Sequence, residues 1–369
     1  MAPTTPHLQP LGKNGPLLPP LSFGLMNLSL ASYGKIDDDE HRFKVLDRVF
    51  EVGATFWDTA KYYSPGPNTP IPRSLPSLGV VFMYGDSEEL VGKWLKRNAG
   101  RREKIFLADK FGIKYNPKNP MDITFDSSPE YCREACEKSL ERLGTGYIDL
   151  YYVHHITPSV PIEATMRTLV ELKNEGKIRY IGLSNITSAT IRRAHKIHPI
   201  TAIQQEYNPF TLDVEKESST HLLKTCRELG IALVCYSPLG RGLLTTNFAE
   251  GNIGADAKDM RSKVFPRFSE ENRDANQKVV EKFGKLAEKK GCNASQLALA
   301  WLLKQGNDVF PNPGTKSVKH FEENWAALSV ELSGEDEKEI RRFVETAEVV
   351  GGRLPEAFSH IPGDTEKEA

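Results

Sequence analysis

Three ionisable residues of complementary type end successive apolar runs. Asp58 follows Ala-Thr-Phe-Trp, Lys110 follows Ile-Phe-Leu-Ala-Asp, and His154 follows Ile-Asp-Leu-Tyr-Tyr-Val. Each has an ordinary account on its own: Asp58, before a threonine, suits a turn cap, Lys110 a solvated loop, and His154 a satisfied packing position. Together they suit a joint task, because a lysine drawn into a protein interior requires a carboxylate partner. An Asp–Lys pair beside a tyrosine favours the phenolate and so lowers a phenol pKa that is ordinarily ~10. A phenol tuned in this way gives its proton to a carbonyl oxygen near neutral pH, and a neighbouring histidine orients that oxygen. Two tyrosines are candidates for the phenol, Tyr63 and Tyr84, both in the 54–94 stretch that also carries Asp58.

Such groups need a scaffold that gathers strand ends. Strand-like runs fall at 21–24, 54–58, 105–110, 148–154, 179–184, 202–207, 231–237 and 309–311, several of them nearly continuous in apolar residues. Continuous runs are what strands covered on both faces require. Helical spacing lies between them: at 40–52 Phe43, Leu46, Val49 and Phe50 share a face, and 128–143 opens Ser-Pro-Glu and ends at Gly144. The segments 162–173 and 221–229 behave alike, and Asn293 with Gln296 reads as a capping box opening 297–303. Strand and helix alternating eight times is the pattern of a single-domain (β/α)8 TIM barrel, an α/β fold whose strand C-termini face the active-site mouth. A doubly wound open sheet is the alternative, and it lacks a complete G-x-G-x-x-G; Gly240-Arg-Gly-Leu-Leu-Thr is the nearest.

The 369 residues carry 48 basic and 49 acidic side chains, which gives no sign of nucleic-acid binding. No apolar run approaches the ~20 residues of a membrane span. The opening Met-Ala-Pro-Thr-Thr-Pro-His lacks the layout of a signal peptide, so a soluble cytoplasmic protein is expected. Five cysteines without a C-x-x-C argue against a disulfide framework, and Cys132 and Cys136 read as small core residues rather than half of a metal site. No metal is expected, because no His and carboxylate cluster has ligand spacing. A loosely held tail is expected over 351–369.

The ordered motifs F-W-D-T-A, F-L-A-D-K-F-G, D-L-Y-Y-V-H, I-R-Y-I-G-L-S-N, Q-Q-E-Y-N-P-F, Y-S-P-L-G-R-G-L-L-T and P-G-T-K-S-V-K-H-F-E-E-N-W resemble the aldo-keto reductases over residues 10–345, nearest the microbial and fungal branch with P-G-T-K cofactor loops. The resemblance implies an NADP(H)-dependent oxidoreductase that reduces small-molecule aldehydes or ketones. It assigns Asp58, Lys110 and His154 to three positions of the catalytic tetrad. His155 falls where the family often has Arg. Ser184 and Asn185 would hold the nicotinamide amide with Gln204 beside them, and Tyr236 would stack on the ring. Ser237, Leu239, Gly240 and Arg241 would line the pyrophosphate. Gly314, Thr315 and Lys316 would take the 2′-phosphate, with His320 where relatives carry Arg and Glu323 and Asn324 on the adenine side.

The fourth tetrad member is divided between two places. Tyr63 stands at the family's distance from Asp58. Tyr84 stands in the family's context, before Gly-Asp-Ser-Glu-Glu-Leu. An insertion over 61–83, with five prolines, separates the two patterns. Tyr84 is the preferred donor, since it is joined closely to the helix that follows. The insertion reads in three ways: a lid, a harmless loop, or a translated remnant such as a retained intron. A rival function is a cofactor-loaded regulatory barrel with little turnover.

Overall fold

The computed structural model describes residues 6–30, 33–60, 86–116, 119–217, 219–253, 259–356 and 363–368; side chains at 115–123 are not described. Among these, eight parallel strands form one sheet in chain order: β1 Phe23–Gly24, β2 Phe56–Asp58, β3 Phe106–Phe111, β4 Ile148–Val153, β5 Ile178–Ser184, β6 Ala202–Glu206, β7 Ala232–Tyr236 and β8 Val309–Pro311. The sheet closes on itself where Ser22 N donates to Pro311 O at 3.1 Å and Gly24 N to Pro313 O at 3.0 Å. The expected (β/α)8 barrel is thus the observed fold.

Side-chain alternation explains the continuous apolar runs. Phe56, Phe106, Ala108, Leu150, Tyr152, Val234 and Phe310 fill the barrel interior, while Trp57, Leu107 and Tyr151 join the cluster that packs the outer helices. Asp58 and Lys110 continue the inward set of β2 and β3 by the same alternation, at the C-terminal mouth. A hairpin of Gln9–Pro10 and Leu17–Leu18 closes the opposite end, adding Leu11 and Leu18 to the interior.

The helices begin and end where local chemistry dictates. Helix α1, Asp39–Glu51, is capped by Asp38, which accepts from His41 N. Helix α2, Ser87–Arg97, opens just after Asp86. Helix α3, Pro129–Leu143, has Ser128 as cap and stops at Gly144, whose φ of 61° only glycine adopts cheaply. Helices α4, Ile162–Asn174, and α5, Ser188–Ile197, flank β5, and α6, Leu222–Leu229, ends at Gly230 with φ 70°. The capping box of Asn293 and Gln296 is present at the start of the Ala294–Lys304 helix. Cys132 and Cys136 are buried on α3, as the core reading supposed, and the described cysteines are all free.

Two features differ from expectation. An antiparallel hairpin of Ile113–Asn116 and Asn119–Phe125 follows β3, where no strands were foreseen. The described part of the tail is firmly held rather than loose. Thr190 Oγ1 donates to Asp364 Oδ1 at 2.7 Å, Arg193 Nη1 to Thr365 O at 2.8 Å, and Glu366 N to Pro158 O at 2.8 Å. Composition suggested looseness because the tail has no apolar period; its anchors are polar and lie on α5, at the first residue of α4 and in the loop before it. No helix among the described residues is long and apolar enough to cross a membrane.

Candidate active site

Asp58 and Lys110 meet in the interior. The Lys110 ammonium donates to Asp58 Oδ1 at 2.5 Å and to the Thr59 carbonyl at 2.8 Å, and both side chains are almost wholly enclosed. Gln204 Nε2 donates to Asp58 Oδ2 at 2.8 Å, so each carboxylate oxygen has a donor. A buried pair of this kind stands only when its remaining groups are satisfied. Sequence order alone does not reveal the Gln204 contact, which spans 146 positions along the chain.

His154 follows β4, its N–H fixed on Phe111 O at 2.7 Å. Burial, then His155, then Lys110 hold its imidazole pKa well below the ordinary value, so the ring is neutral and offers one donor and one acceptor. Tyr152, inside the barrel beneath the pair, is a third tyrosine that the sequence reading did not weigh. Burial and then Asp58 push its phenol pKa well up, the reverse of an activated donor. Its ring also explains Gly182: a Cβ there would meet the Tyr152 ring at 2.4 Å.

Tyr63 and Tyr84 both lie outside the described residues, as does the insertion. The ends of that stretch are fixed. Thr59 and Ser87 share a hydrogen bond of 2.6 Å, and Arg42 grips the Asp86 carboxylate with bonds of 2.7 and 2.9 Å. Asp86 therefore serves Arg42 rather than capping α2 with its side chain.

Asp109, on the opposite side of β3 from Lys110, is fully buried, and neither of its oxygens has a hydrogen-bond partner among the described residues. Burial, then Glu88, hold its carboxyl protonated well above the usual carboxylate range.

A cavity of about 740 Å³ opens above the pair, with Asp58 and His154 in its wall. Asn185, Gln204 and Tyr236 line one part. Tyr236 donates to Asn185 Oδ1 at 2.9 Å, while Asn185, at φ 51°, donates to Ser184 Oγ at 3.1 Å. A non-glycine residue at positive φ costs conformational energy that a functional contact commonly explains. Ser237, Leu239 and Arg241 line a second part, with Ser237 at φ 48°, Gly240 at 56° and Arg241 at 61°. Gly314, Thr315, Lys316, His320, Glu323 and Asn324 line a third. Ser184, Gly240 and Lys110 stand behind the wall.

Cations suited to an anionic ligand gather over the second and third parts. Arg241 Nε is buried without a partner among the described residues. Lys316 Nζ spans the carbonyls of Tyr33 and Lys35, both at 3.0 Å. Gly314 admits no larger residue, since a Cβ would stand 2.5 Å from Gly24 O. These groups fit a long dianionic or trianionic cofactor laid across the mouth. Tyr33 and Arg261 were missed by sequence reading. Arg261 Nη1 donates to Arg241 O at 3.0 Å and its guanidinium covers the Tyr33 ring at 5.0 Å, in a region with no periodic signal.

The profile of the Aldo/keto reductase family matches residues 20–345. The chain belongs to the aldo-keto reductase family. It is 41% identical over 341 residues to the aldo-keto reductase str7 of Strobilurus tenacellus, spanning 91% of this chain and 92% of that one. It is also 41% identical over 338 residues to the aldo-keto reductase yakc of Schizosaccharomyces pombe, spanning 92% of each; that protein's name specifies NADP(+). Among solved structures, the thermostable aldo-keto reductase Tm1743, crystallised with the inhibitor epalrestat, is similar with a TM-score of 0.68 at 28% identity. That match covers 91% of this chain and 99% of that chain.

Proposed function

We propose that this protein is an NADP(H)-dependent reductase of aldehyde or ketone carbonyls. The observation that carries the reading is the enclosed Lys110–Asp58 pair beside a neutral His154, at the base of a cavity whose far wall is cationic. The cofactor, when bound, supplies a hydride to the carbonyl carbon. The protein's own groups manage the oxygen. Lys110, held by Asp58, places a fixed positive charge that favours loss of the tyrosine proton to the carbonyl oxygen. His154 donates to that same oxygen and orients it.

Tyr84 is the proposed proton donor. It lies three residues before Ser87, a tether of at most ~11 Å, whereas Tyr63 lies four residues beyond Thr59, a reach of ~14 Å. The Thr59–Ser87 bond puts both tethers at one point, and the Arg42 grip on Asp86 favours the shorter as the better fixed. Ser184, Asn185 and Gln204 would meet the nicotinamide amide, Tyr236 its ring, and Ser237, Leu239, Gly240 and Arg241 the pyrophosphate. Gly314, Thr315 and Lys316, with His320, Glu323 and Asn324, would hold the adenosine 2′-phosphate end.

The test follows NADPH absorbance with 4-nitrobenzaldehyde as substrate and the alcohol quantified in parallel. Equal loss of NADPH and gain of alcohol is expected. Tight NADPH binding with no turnover across a panel of aldehydes and ketones overturns the reductase reading in favour of a cofactor-loaded binding protein.

A further inference from the structure

His155 has no role in the proton transfer above, yet its ring is the middle member of a stack. Phe125, at the end of the Asn119–Phe125 strand, lies 4.6 Å from the His155 ring with 27° between planes. His155 in turn lies 4.9 Å from the His154 ring with 23° between planes. Rings at such separations attract one another and resist independent rotation. Burial keeps both imidazoles neutral, His155 with a pKa lowered to about 3, so no like charge opposes the stack.

Both flanks of the stack are tied down. Thr157 Oγ1 donates to Phe125 O at 2.9 Å and accepts from Ser127 N at 3.0 Å, while Thr157 N donates to Ser127 Oγ at 2.9 Å. These three bonds join the exit of the hairpin to the segment after His155. On the other side, Gly112, at φ 116°, lets the His155 backbone press close: a Cβ there would stand 2.6 Å from His155 O. His154 N is fixed on Phe111 O. The hairpin, the strand end and the two histidines are one unit.

We propose that Phe125 and His155 are positioning residues that hold the plane of the His154 imidazole, with Thr157 fixing Phe125 in register. The inference rests on the reading of His154 as the group that orients the carbonyl. Its physical content, a constrained ring, stands or falls separately from turnover.

The experiment uses the full chain and four variants: His155→Phe, which keeps a flat ring, His155→Ala, which removes it, and Phe125→Leu and Thr157→Val, which leave His155 in place. Two readouts are taken, the linewidth of the His154 Cε1–H resonance and the separate values of kcat and of KM for NADPH. The His154 signal is expected to stay single and sharp in the wild type and in His155→Phe, and to broaden or split in His155→Ala and Phe125→Leu. With aldehyde, kcat is expected within ~3-fold of wild type for His155→Phe and down ~10- to 100-fold for His155→Ala, with KM for NADPH little changed, the scale expected of a slightly misplaced reacting group. A sharp His154 signal in folded His155→Ala overturns the proposal, and so does equal loss of kcat in His155→Phe and His155→Ala. If His155→Ala does not fold, Phe125→Leu and Thr157→Val decide, since unchanged His154 signals in both contradict it. A wild type that fails to turn over aldehyde sinks the proposed function alone, and the resonance still judges the stack.

Discussion

Lys110 illustrates how much a single enclosed side chain can be asked to do. Its ammonium has the Asp58 carboxylate on one side and the Thr59 carbonyl on another, with no exposed surface. Lys110→Met keeps the length and the packing but removes the charge. It is expected to lower kcat ~10²- to 10⁴-fold, the usual span for losing a group that assists proton transfer, while NADPH binding, measured by quenching of tryptophan fluorescence, changes little. Loss of binding in parallel with kcat would mean that the lysine supports the cavity rather than the proton. Lys316 offers the complementary case, since its two carbonyl partners are weak competitors for a phosphate dianion. Lys316→Ala should raise Kd for NADPH ~10-fold or more and leave NADH nearly unaffected; equal effects on both would remove it from the 2′-phosphate. Asp58, Lys110 and His154 were legible in the sequence because strand ends in a barrel face one mouth. Gln204 bonding to Asp58 and the buried Asp109 acid were not, because neither has a local pattern.

At the scale of elements, the runs that became β2, β3 and β4 were readable because both faces of each are covered, so they are apolar toward the mouth except at Asp149 and Asp109. The tail was not, since its partners are distant and polar, and the local Ile113–Asn116 and Asn119–Phe125 pair was not, since Pro117 and Pro120 break its strand pattern. The tail matters to the site through Arg353, whose Nη1 donates to Glu206 Oε2 at 3.0 Å beside Tyr236. Glu206 is buried, so Arg353→Met would leave its charge without this partner. The side chain of Arg353 is one-third exposed and Arg267 and Arg241 stand nearby, which limits the cost to about 1–2 kcal/mol. A lower urea midpoint with an unchanged m-value is expected. An unchanged midpoint would mean that the tail is held by its contacts to α4 and α5 alone.

For the whole molecule, the buried histidines set a direction for acid sensitivity. In the folded chain His155 has a pKa lowered to about 3, against ~6.5 when unfolded. Between those values the unfolded chain takes up a proton that the folded chain refuses, so stability falls as pH falls from 6.5, by ~1.4 kcal/mol per pH unit for one such group. Urea unfolding of His155→Phe should show that much less dependence between pH 6 and pH 4 than the wild type; identical slopes would contradict a neutral buried ring. A barrel of this kind accommodates a loop ~20 residues longer at a closure cost of only about 1–2 kcal/mol, and Thr59 and Ser87 hold together the two ends of the stretch between them. On the proposed function, that stretch carries the proton donor. The most direct measurement is therefore NADPH-dependent aldehyde reduction by Tyr84→Phe and Tyr63→Phe, prepared side by side with the wild type. The account predicts that Tyr84→Phe loses kcat ~10²-fold or more while Tyr63→Phe keeps it; abolition by Tyr63→Phe alone would contradict it.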